Sequence, residues 1–407
     1  MGESKNNENM RILMLQHRFF PAIGGSEKHV YLLGKYLTMR GHDVTVYTTT
    51  SLSNRDVPSL PFLRREEEKV SLPQRETLDG ITVERFNIAL RYWSFNWIPE
   101  LSKRLRRNIK QFDIIHAHGY HISTSLIGCY YARKYGKPFV LTAHDLIIPD
   151  NLSVDARVFK RIYDKTIGRY LLRNSKRLIA LTDDHIHQYS ERGGDVSKIR
   201  IIPNGIEVEK YLNKKVSRRV IEKYDLDDSD KVLLFVGRIE KYKGIQDVIE
   251  ILPSILKIYP SLKFVVVGRD YGFKEELERL VEDLNLGNNV VFTGGVSEDE
   301  LLDLYKLADI FILPSKMEGF GIVLLEAMAS NTLCIAYSIP AVRKVIVDKE
   351  NGILVENKEE LLRSILYYLD NKGEKNRIEK NALQYVRNYD ASNVTRLLER
   401  VYEEVIQ

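Results

Sequence analysis

Four ionisable residues in the second half of the chain have the types and spacing to hold a phosphorylated, hydroxyl-rich ligand. Arg238 and Lys243 follow the apolar run KVLLFVGR, and Lys243 and Gly244 open a stretch in which Ile245, Val248, Ile249 and Leu252 share one helical face. Two permanent cations beside a helix N-terminus can grip phosphate oxygens, although in isolation they read better as solvated loop charges, which are common at loop ends. Further on, DIFILPS runs directly into EGFGIVLLE, residues 318–326. Gly319 and Gly321 let the backbone approach a ligand, so that N–H groups around Phe320 and Ile322, at the start of the following helix, can face an oxygen-rich substrate. Glu326 comes eight residues after Glu318, roughly 12 Å along the axis if the whole stretch is helical. Two carboxylates so placed can bind opposite ends of an extended ligand. The plainer reading makes Glu318 a capping acid and Glu326 a surface helix residue.

The first half offers glycines and histidines instead. RILMLQ, residues 11–16, leads into a loop holding Gly24 and Gly25, after which Val30, Leu33, Gly34 and Leu37 recur at helical spacing. DIIHAHG ends with His118 and Gly119, and this histidine can serve either a ligand or the buried end of a strand. His116 alternates with it and is expected on the opposite face. His144 and Asp145 end the next apolar run and are placed to line a second-substrate side. Cys129 and Cys334 lie far apart without metal-ligand spacing and read as small core residues. Mg²⁺ or Mn²⁺ on a diphosphate requires a strand-end acidic pair. The close Asp-x-Asp, Asp225 and Asp227, sits in a polar stretch, so no metal and no cofactor is expected.

These residues follow a recurring series of strand-sized apolar runs. VTVYTT, PFVLTAHD, RLIALT and IRIIPNG continue the series in the first half, with helix-length segments between them. After a polar stretch from about Glu207 to Asp230, the pattern restarts with KVLLFVGR, LKFVVVGR, NVVFTGG, DIFILPS and LCIAYS. Strands alternating with helices imply parallel sheets covered on both faces, which bind ligands at the carboxyl ends of their strands. The expected organisation is α/β: a tail over 1–10, Rossmann-like domains over 11–207 and 208–390 facing across a cleft, and a helix over 391–407 placed to pack back on the first domain. With 44% hydrophobic and 29% charged residues, long disorder is excluded. No apolar run approaches the roughly 20 residues of a membrane span. MGESKNNENM lacks the basic-then-apolar order of a secretory signal, so a cytoplasmic location is expected. Residues 1–207 carry 32 Lys+Arg against 22 Asp+Glu, whereas the remainder carries 29 against 34. An acidic partner should therefore meet the first half.

Taken together, the GG loop, HAHG, the NG turn after IRIIP, FVGR with KG, and the Glu-x7-Glu element resemble the retaining glycosyltransferases of family four, which have the GT-B fold. The resemblance covers nearly the whole chain. It implies a nucleotide diphosphate sugar as donor, held mainly by the second domain. Arg238 and Lys243 match the pair that binds the diphosphate and stabilises its charge as the sugar bond breaks. Glu318 matches the acid on the sugar hydroxyls, assisted by the N–H groups of Gly319, Phe320 and Gly321. Glu326 matches the acid that grips the ribose, Gly25 the glycine whose backbone meets the donor phosphate, and His118 the histidine near the transferring sugar. Retention by front-side attack is implied, with the departing phosphate helping to remove the acceptor proton. Two departures, DYG after FVVVGR and Glu207 where the family's usual acid is Asp, bear on base and sugar identity.

The expected acceptor is a glycan or a lipid-linked molecule. Leu101, Leu105, Ile109 and Phe112 form a stripe beside Lys103, Arg104, Arg106, Arg107 and Lys110, just after RYWSFNWIP. Residues 91–112 thus read either as a helix docking peripherally on an anionic membrane surface or as a sheet-covering helix with a solvated face. A dinucleotide-dependent oxidoreductase is disfavoured because FFPAIGGSE replaces G-x-G-x-x-G after the first strand. No RNA- or DNA-binding motif accompanies the basic half, so no specific nucleic acid is expected. A related sugar phosphorylase would differ by a lysine-bound pyridoxal phosphate.

Overall fold

A computed structural model of the chain describes residues 9–22, 24–52, 72–92, 95–144, 146, 154–227 and 230–407. The chain forms two compact units, the first running to Gly205 and adding Ala391–Gln407, the second comprising Ile206–Asp390.

The strands of the first unit are β1 (Arg11–Gln16), β2 (Asp43–Thr49), β3 (Arg75–Leu78), β4 (Ile81–Phe86), β5 (Leu90–Tyr92), β6 (Phe95–Trp97), β7 (Ile114–His118), β8 (Phe139–Thr142), β9 (Arg177–Ala180) and β10 (Ile199–Ile201). β5 and β6 pair as an antiparallel ribbon; the others form one sheet of order β10-β9-β8-β7-β1-β2-β4-β3. Only the β3–β4 pairing in that sheet is antiparallel. The central strands are apolar because both faces are covered. Val30, Leu33 and Leu37 of helix Gly25–Met39 and Val394, Leu398 and Tyr402 of helix Ala391–Ile406 pack on one face. Leu101 and Leu105 of helix Pro99–Asn108 and Cys129 and Ala132 of helix Ser123–Lys134 pack on the other. The C-terminal helix is tied to the unit by Glu399, which accepts from Arg40 Nε at 2.9 Å and meets His42 Nε2 at 2.8 Å. Met10, assigned to the tail from the sequence, is instead buried, and its N–H donates to His42 Nδ1 at 3.2 Å.

β4 buries Ile81, Val83 and Phe86, but charges interrupt the run and are paired in place. Glu84 accepts from Arg104 Nε at 2.7 Å and Nη2 at 2.6 Å, while the enclosed Arg85 side chain reaches the Phe20 carbonyl at 2.6 Å and pairs with Glu76.

The second unit's strands are β11 (Val232–Val236), β12 (Lys263–Val267), β13 (Val290–Gly294), β14 (Ile310–Leu313), β15 (Leu333–Tyr337) and β16 (Ile353–Val355), all parallel, in the order β13-β12-β11-β14-β15-β16. The polar stretch after Glu207 is more than a linker: it forms helices Val208–Leu212 and Arg218–Lys223, which bury Tyr211 and Val220. In both sheets the chain builds outward in two directions from adjacent strands, β1 and β7 in the first and β11 and β14 in the second. Those reversals are where open α/β sheets leave room for a ligand. Among the described residues no helix is long and apolar enough to cross a membrane.

Candidate active site

In the second unit the reversal lies between β11 and β14, and the sequence-selected charges follow those two strands. After β11 a short 3₁₀ turn, Lys241–Lys243, ends at Gly244, whose φ of 73° lies in the left-handed region. A Cβ on Gly244 would stand 2.0 Å from the Pro314 carbonyl oxygen, so glycine lets the two strand-end loops meet. The Lys316 N–H then donates to the Tyr242 carbonyl at 2.8 Å. This closure brings Lys243 Nζ to Glu318 Oε1 at 2.6 Å, with side chains only 10% and 12% exposed.

Arg238 joins the pair through a residue that sequence reasoning did not single out. Its side chain is 53% exposed, and its Nη2 donates to the Tyr242 hydroxyl at 2.6 Å. Glu240 stands 3.5 Å from Nη1, and the guanidinium lies 5.3 Å from the Tyr271 ring centroid. Lys243 Nζ is likewise 5.3 Å from the Tyr242 ring. Tyr242 therefore touches both cations, one with its hydroxyl and one with its π face. Burial, followed by its bond to Glu240, pushes its phenol above the usual range. The aromatic residue directly before Lys243 was the available sequence signal.

The EGFG element differs from a continuous helix. Gly321, with φ 80° and ψ 44°, is the N-cap, and helix Ile322–Ala329 begins only after it. Glu318 therefore stands in the loop before the helix, as the sequence places it, and the stretch to Glu326 is only partly helical. No side chain caps this N-terminus, and a Cβ on Gly319 would meet nothing within 4 Å, so the backbone there is open. Phe320 is buried, its ring 6.2 Å from Tyr389. Glu326 is buried rather than on a helix surface, and the Tyr305 hydroxyl donates to its Oε2 at 2.9 Å. Burial first, then the adjacent carboxylate, raises the Tyr305 phenol well above its ordinary value.

The first unit carries a second cluster at its own reversal. Gly24 is the N-cap and Gly25 the first residue of helix Gly25–Met39. A Cβ on Gly24 would come 2.3 Å from Glu27 Oε2, whereas one on Gly25 would meet open space. Glu27 is buried, paired with Arg18 at 2.8 Å and accepting from Ser26 at 2.9 Å. His118 ends β7 in register with Gln16 of β1 and Thr142 of β8. Its Nδ1 lies 3.3 Å from His144 Nε2, and its Nε2 is buried with no hydrogen-bond partner among the described residues.

His116 does not point away from His118: their ring centroids are 4.0 Å apart. Strand side chains alternate with period two, so residues two apart share a face. His116 is held between the Tyr402 hydroxyl at 2.6 Å and Thr142 Oγ1 at 2.8 Å. His29, absent from the sequence-derived set, places its ring 5.4 Å from His144 and 6.1 Å from His118. Burial, reinforced by neighbouring imidazoles, holds His116 and His144 at about 3 and drives His29 and His118 well below the usual range. Asp145 lies outside the described residues.

The stripe Leu101, Leu105, Ile109 and Phe112 is buried in the first unit's core, and Arg104 is engaged by Glu84. Of the aromatics before it, Trp93 lies outside the described residues and Trp97 is exposed.

Two Rossmann-like sheets, each with ionisable residues at its reversal, are the architecture of the GT-B fold class. The models for Glycosyltransferase Family 4 and for Glycosyl transferases group 1 match residues 23–210 and 216–385 respectively. The chain is 28% identical to the alpha-monoglucosyldiacylglycerol synthase of Streptococcus pneumoniae, over 88% of this chain and 78% of that one. It is 27% identical to the phosphatidyl-myo-inositol mannosyltransferase of Mycolicibacterium smegmatis, over 97% and 94%. Among solved structures, Anabaena HepE in complex with UDP and glucose superposes with a TM-score of 0.74 at 19% identity, covering 97% of this chain and 100% of that one. The chain belongs to glycosyltransferase family 4 and is a glycosyltransferase.

Proposed function

We propose that the enzyme moves a hexose, with retention and without a metal ion, from a nucleotide diphosphate sugar to a lipid-linked or glycan acceptor. The observation that carries this reading is the convergence of Arg238, Lys243 and Glu318 where β11 and β14 end. Arg238 and Lys243 would hold the diphosphate and stabilise its charge as the bond to the sugar breaks. Glu318 would take the sugar hydroxyls, with the open N–H groups of Gly319, Phe320 and Gly321 beside it, and Glu326 would bind the ribose. The acids nearest the cations, Glu240 and Glu318, are already paired with Arg238 and Lys243, and this supports positive charge from side chains in the role a divalent ion would fill.

In the first unit, Gly25 would meet the donor phosphate through its backbone, and His118 would lie beside the transferring sugar. His144 and Asp145 would line the acceptor side. A lipid acceptor is favoured by the two relatives whose names specify glycolipid or phosphoinositide products and substrates. A thermal-shift panel of nucleotide diphosphate sugars in EDTA tests donor class and metal independence together. Stabilisation by one nucleotide series, followed by transfer to a lipid acceptor in EDTA, is expected; activity only with added Mg²⁺ or Mn²⁺ would overturn the metal-independent part.

A further inference from the structure

A strip of cations in the first unit is used by neither cluster. Helix Val154–Tyr163 continues through a π-helical turn, Asp164–Gly168, into helix Arg169–Asn174. Arg157, Arg161, Lys165, Arg169 and Arg173 recur every four residues, and all five are exposed. In an uninterrupted α-helix each four-residue step rotates about 40°, so five such residues would wind well around the axis. The wider π turn rotates less per residue and counteracts this drift, keeping the five cations along one side.

Gly168 is what permits the wide turn to sit close to the unit: a Cβ there would stand 1.9 Å from the Tyr120 hydroxyl. Asp164, the only acidic residue between Arg157 and Lys176, is largely covered, its side chain 16% exposed at a recess beside the strip. Its Oδ1 lies 3.6 Å from His121 Nε2 and its Oδ2 3.4 Å from Arg192 Nε. Beside the cations, Val158 and Ile162 are 48% and 57% exposed, one turn apart on the same helix. A recess lined by Arg161, Lys165, Arg169 and Arg192, with Asp164 and Glu191, lies alongside.

We infer that this strip docks the enzyme on an anionic lipid bilayer, Val158 and Ile162 entering the headgroup boundary while Arg157, Arg161, Lys165, Arg169 and Arg173 face the lipid phosphates. Charge complementarity selects the occupant: the row is cationic, Asp164 within it is engaged by His121 and Arg192, and exposed aliphatic side chains lie next to it. The assignment moves the membrane surface from residues 91–112, whose apolar stripe is spent on the core, to residues 154–174. It deepens the lipid-acceptor reading and rests on it.

The test is co-sedimentation of the full chain with phosphatidylcholine vesicles, with and without phosphatidylglycerol. Binding should require phosphatidylglycerol and weaken with salt. Replacing Arg157, Arg161 and Lys165 together by Ala should lower vesicle partitioning about a hundredfold, at about fivefold per cation. I162D should lower it as well, whereas R106A/R107A should leave it unchanged. Turnover with a water-soluble acceptor should persist in the triple variant, which separates this surface from the donor site. The inference is overturned if the wild type ignores phosphatidylglycerol, if the triple variant binds vesicles like the wild type, or if R106A/R107A is the variant that detaches. Equal retention on an RNA of the same charge at the same salt would also overturn it, by showing a general polyanion surface. Vesicle binding without donor turnover would instead refute the functional proposal and leave the surface standing.

Discussion

Removing one partner of the Lys243–Glu318 pair should destabilise the second unit more than an exposed ion pair could. The atoms are 2.6 Å apart, and each side chain keeps only about a tenth of its exposure. Lys243→Ala therefore leaves a nearly dry carboxylate without its cation, and Glu318→Ala leaves the converse. Breaking a buried pair costs 3–5 kcal/mol, and the residual exposure puts each single variant near about 3 kcal/mol. In the double variant neither charge remains, so its cost should not exceed that of either single variant, giving a coupling of at least about 3 kcal/mol. Both tryptophans, Trp93 and Trp97, belong to the first half of the chain, so their emission does not report on the second unit. Hydrogen exchange in β11 and β14 is the appropriate readout, since it resolves opening of one unit within a multi-domain chain. Single-variant losses below about 1 kcal/mol that simply add would show a solvated pair and refute the reasoning. On the proposed function, each single variant also loses transfer while the first unit keeps its protection, and the double variant regains none. Near-normal turnover in either single variant would refute the catalytic assignment.

Tyr242→Phe keeps the ring beneath Lys243 but removes the hydroxyl that accepts from Arg238. Discounted for the half-exposed guanidinium, the loss is about 1 kcal/mol, or about fivefold weaker binding of the nucleoside diphosphate in calorimetry; Tyr242→Leu should lose more, and two variants indistinguishable from wild type would remove Tyr242 from the site. The histidine cluster makes stability depend on pH. His116 and His144 are held at about 3 in the fold, below their ordinary value near 6.5, so the unfolded chain binds the extra protons. Stability is complete above about pH 6.5 and falls as pH drops toward 3, by about 1.4 kcal/mol per pH unit for each histidine that charges only on unfolding. Denaturant titrations of the first unit between pH 7 and pH 4 should show this slope, and His144→Gln should make it shallower; equal slopes in both proteins would exclude His144 as a contributor.

The strands that position the sites were legible because a parallel strand covered on both faces must be apolar throughout, as RILMLQ, KVLLFVGR and DIFILPS are. The carboxyl end of each run and the loop after it then hold only a few residues able to do chemistry, and Lys243, Glu318 and His118 are among them. β4 was passed over because Glu84 and Arg85, tolerated through partners brought from Arg104 and Glu76, break the alternation that the buried Ile81 and Val83 begin. β16 has only three residues, Ile353–Val355, too few to show a period. The error over His116 was one of parity, since the alternation that defines a strand places positions 116 and 118 on one side. His29 escaped notice because its partners come from other elements and spacing carries no record of such meetings, whereas Tyr242, between Arg238 and Lys243 in one loop, was a signal left unread.

Those meetings decide how the two cations can share a diphosphate. From sequence, Arg238 and Lys243 are equivalent charges near a helix start. In the fold they differ: Lys243 is nearly buried and committed to Glu318, while Arg238 is half in solvent and braced by Tyr242 and Tyr271. A buried ammonium without its carboxylate would be costly, so the pair keeps the deeper part of the site close to neutral before any ligand arrives. An incoming diphosphate therefore brings negative charge that the Lys243–Glu318 pair alone does not balance. Arg238 also has Glu240 at 3.5 Å, but that contact is longer and the guanidinium is half exposed. On the proposed function, Arg238 is therefore the cation able to turn to the diphosphate at the site's exposed edge, and Lys243 is already fixed where charge grows on the departing phosphate. This division assigns ground-state diphosphate binding chiefly to Arg238 and stabilisation of the breaking bond chiefly to Lys243.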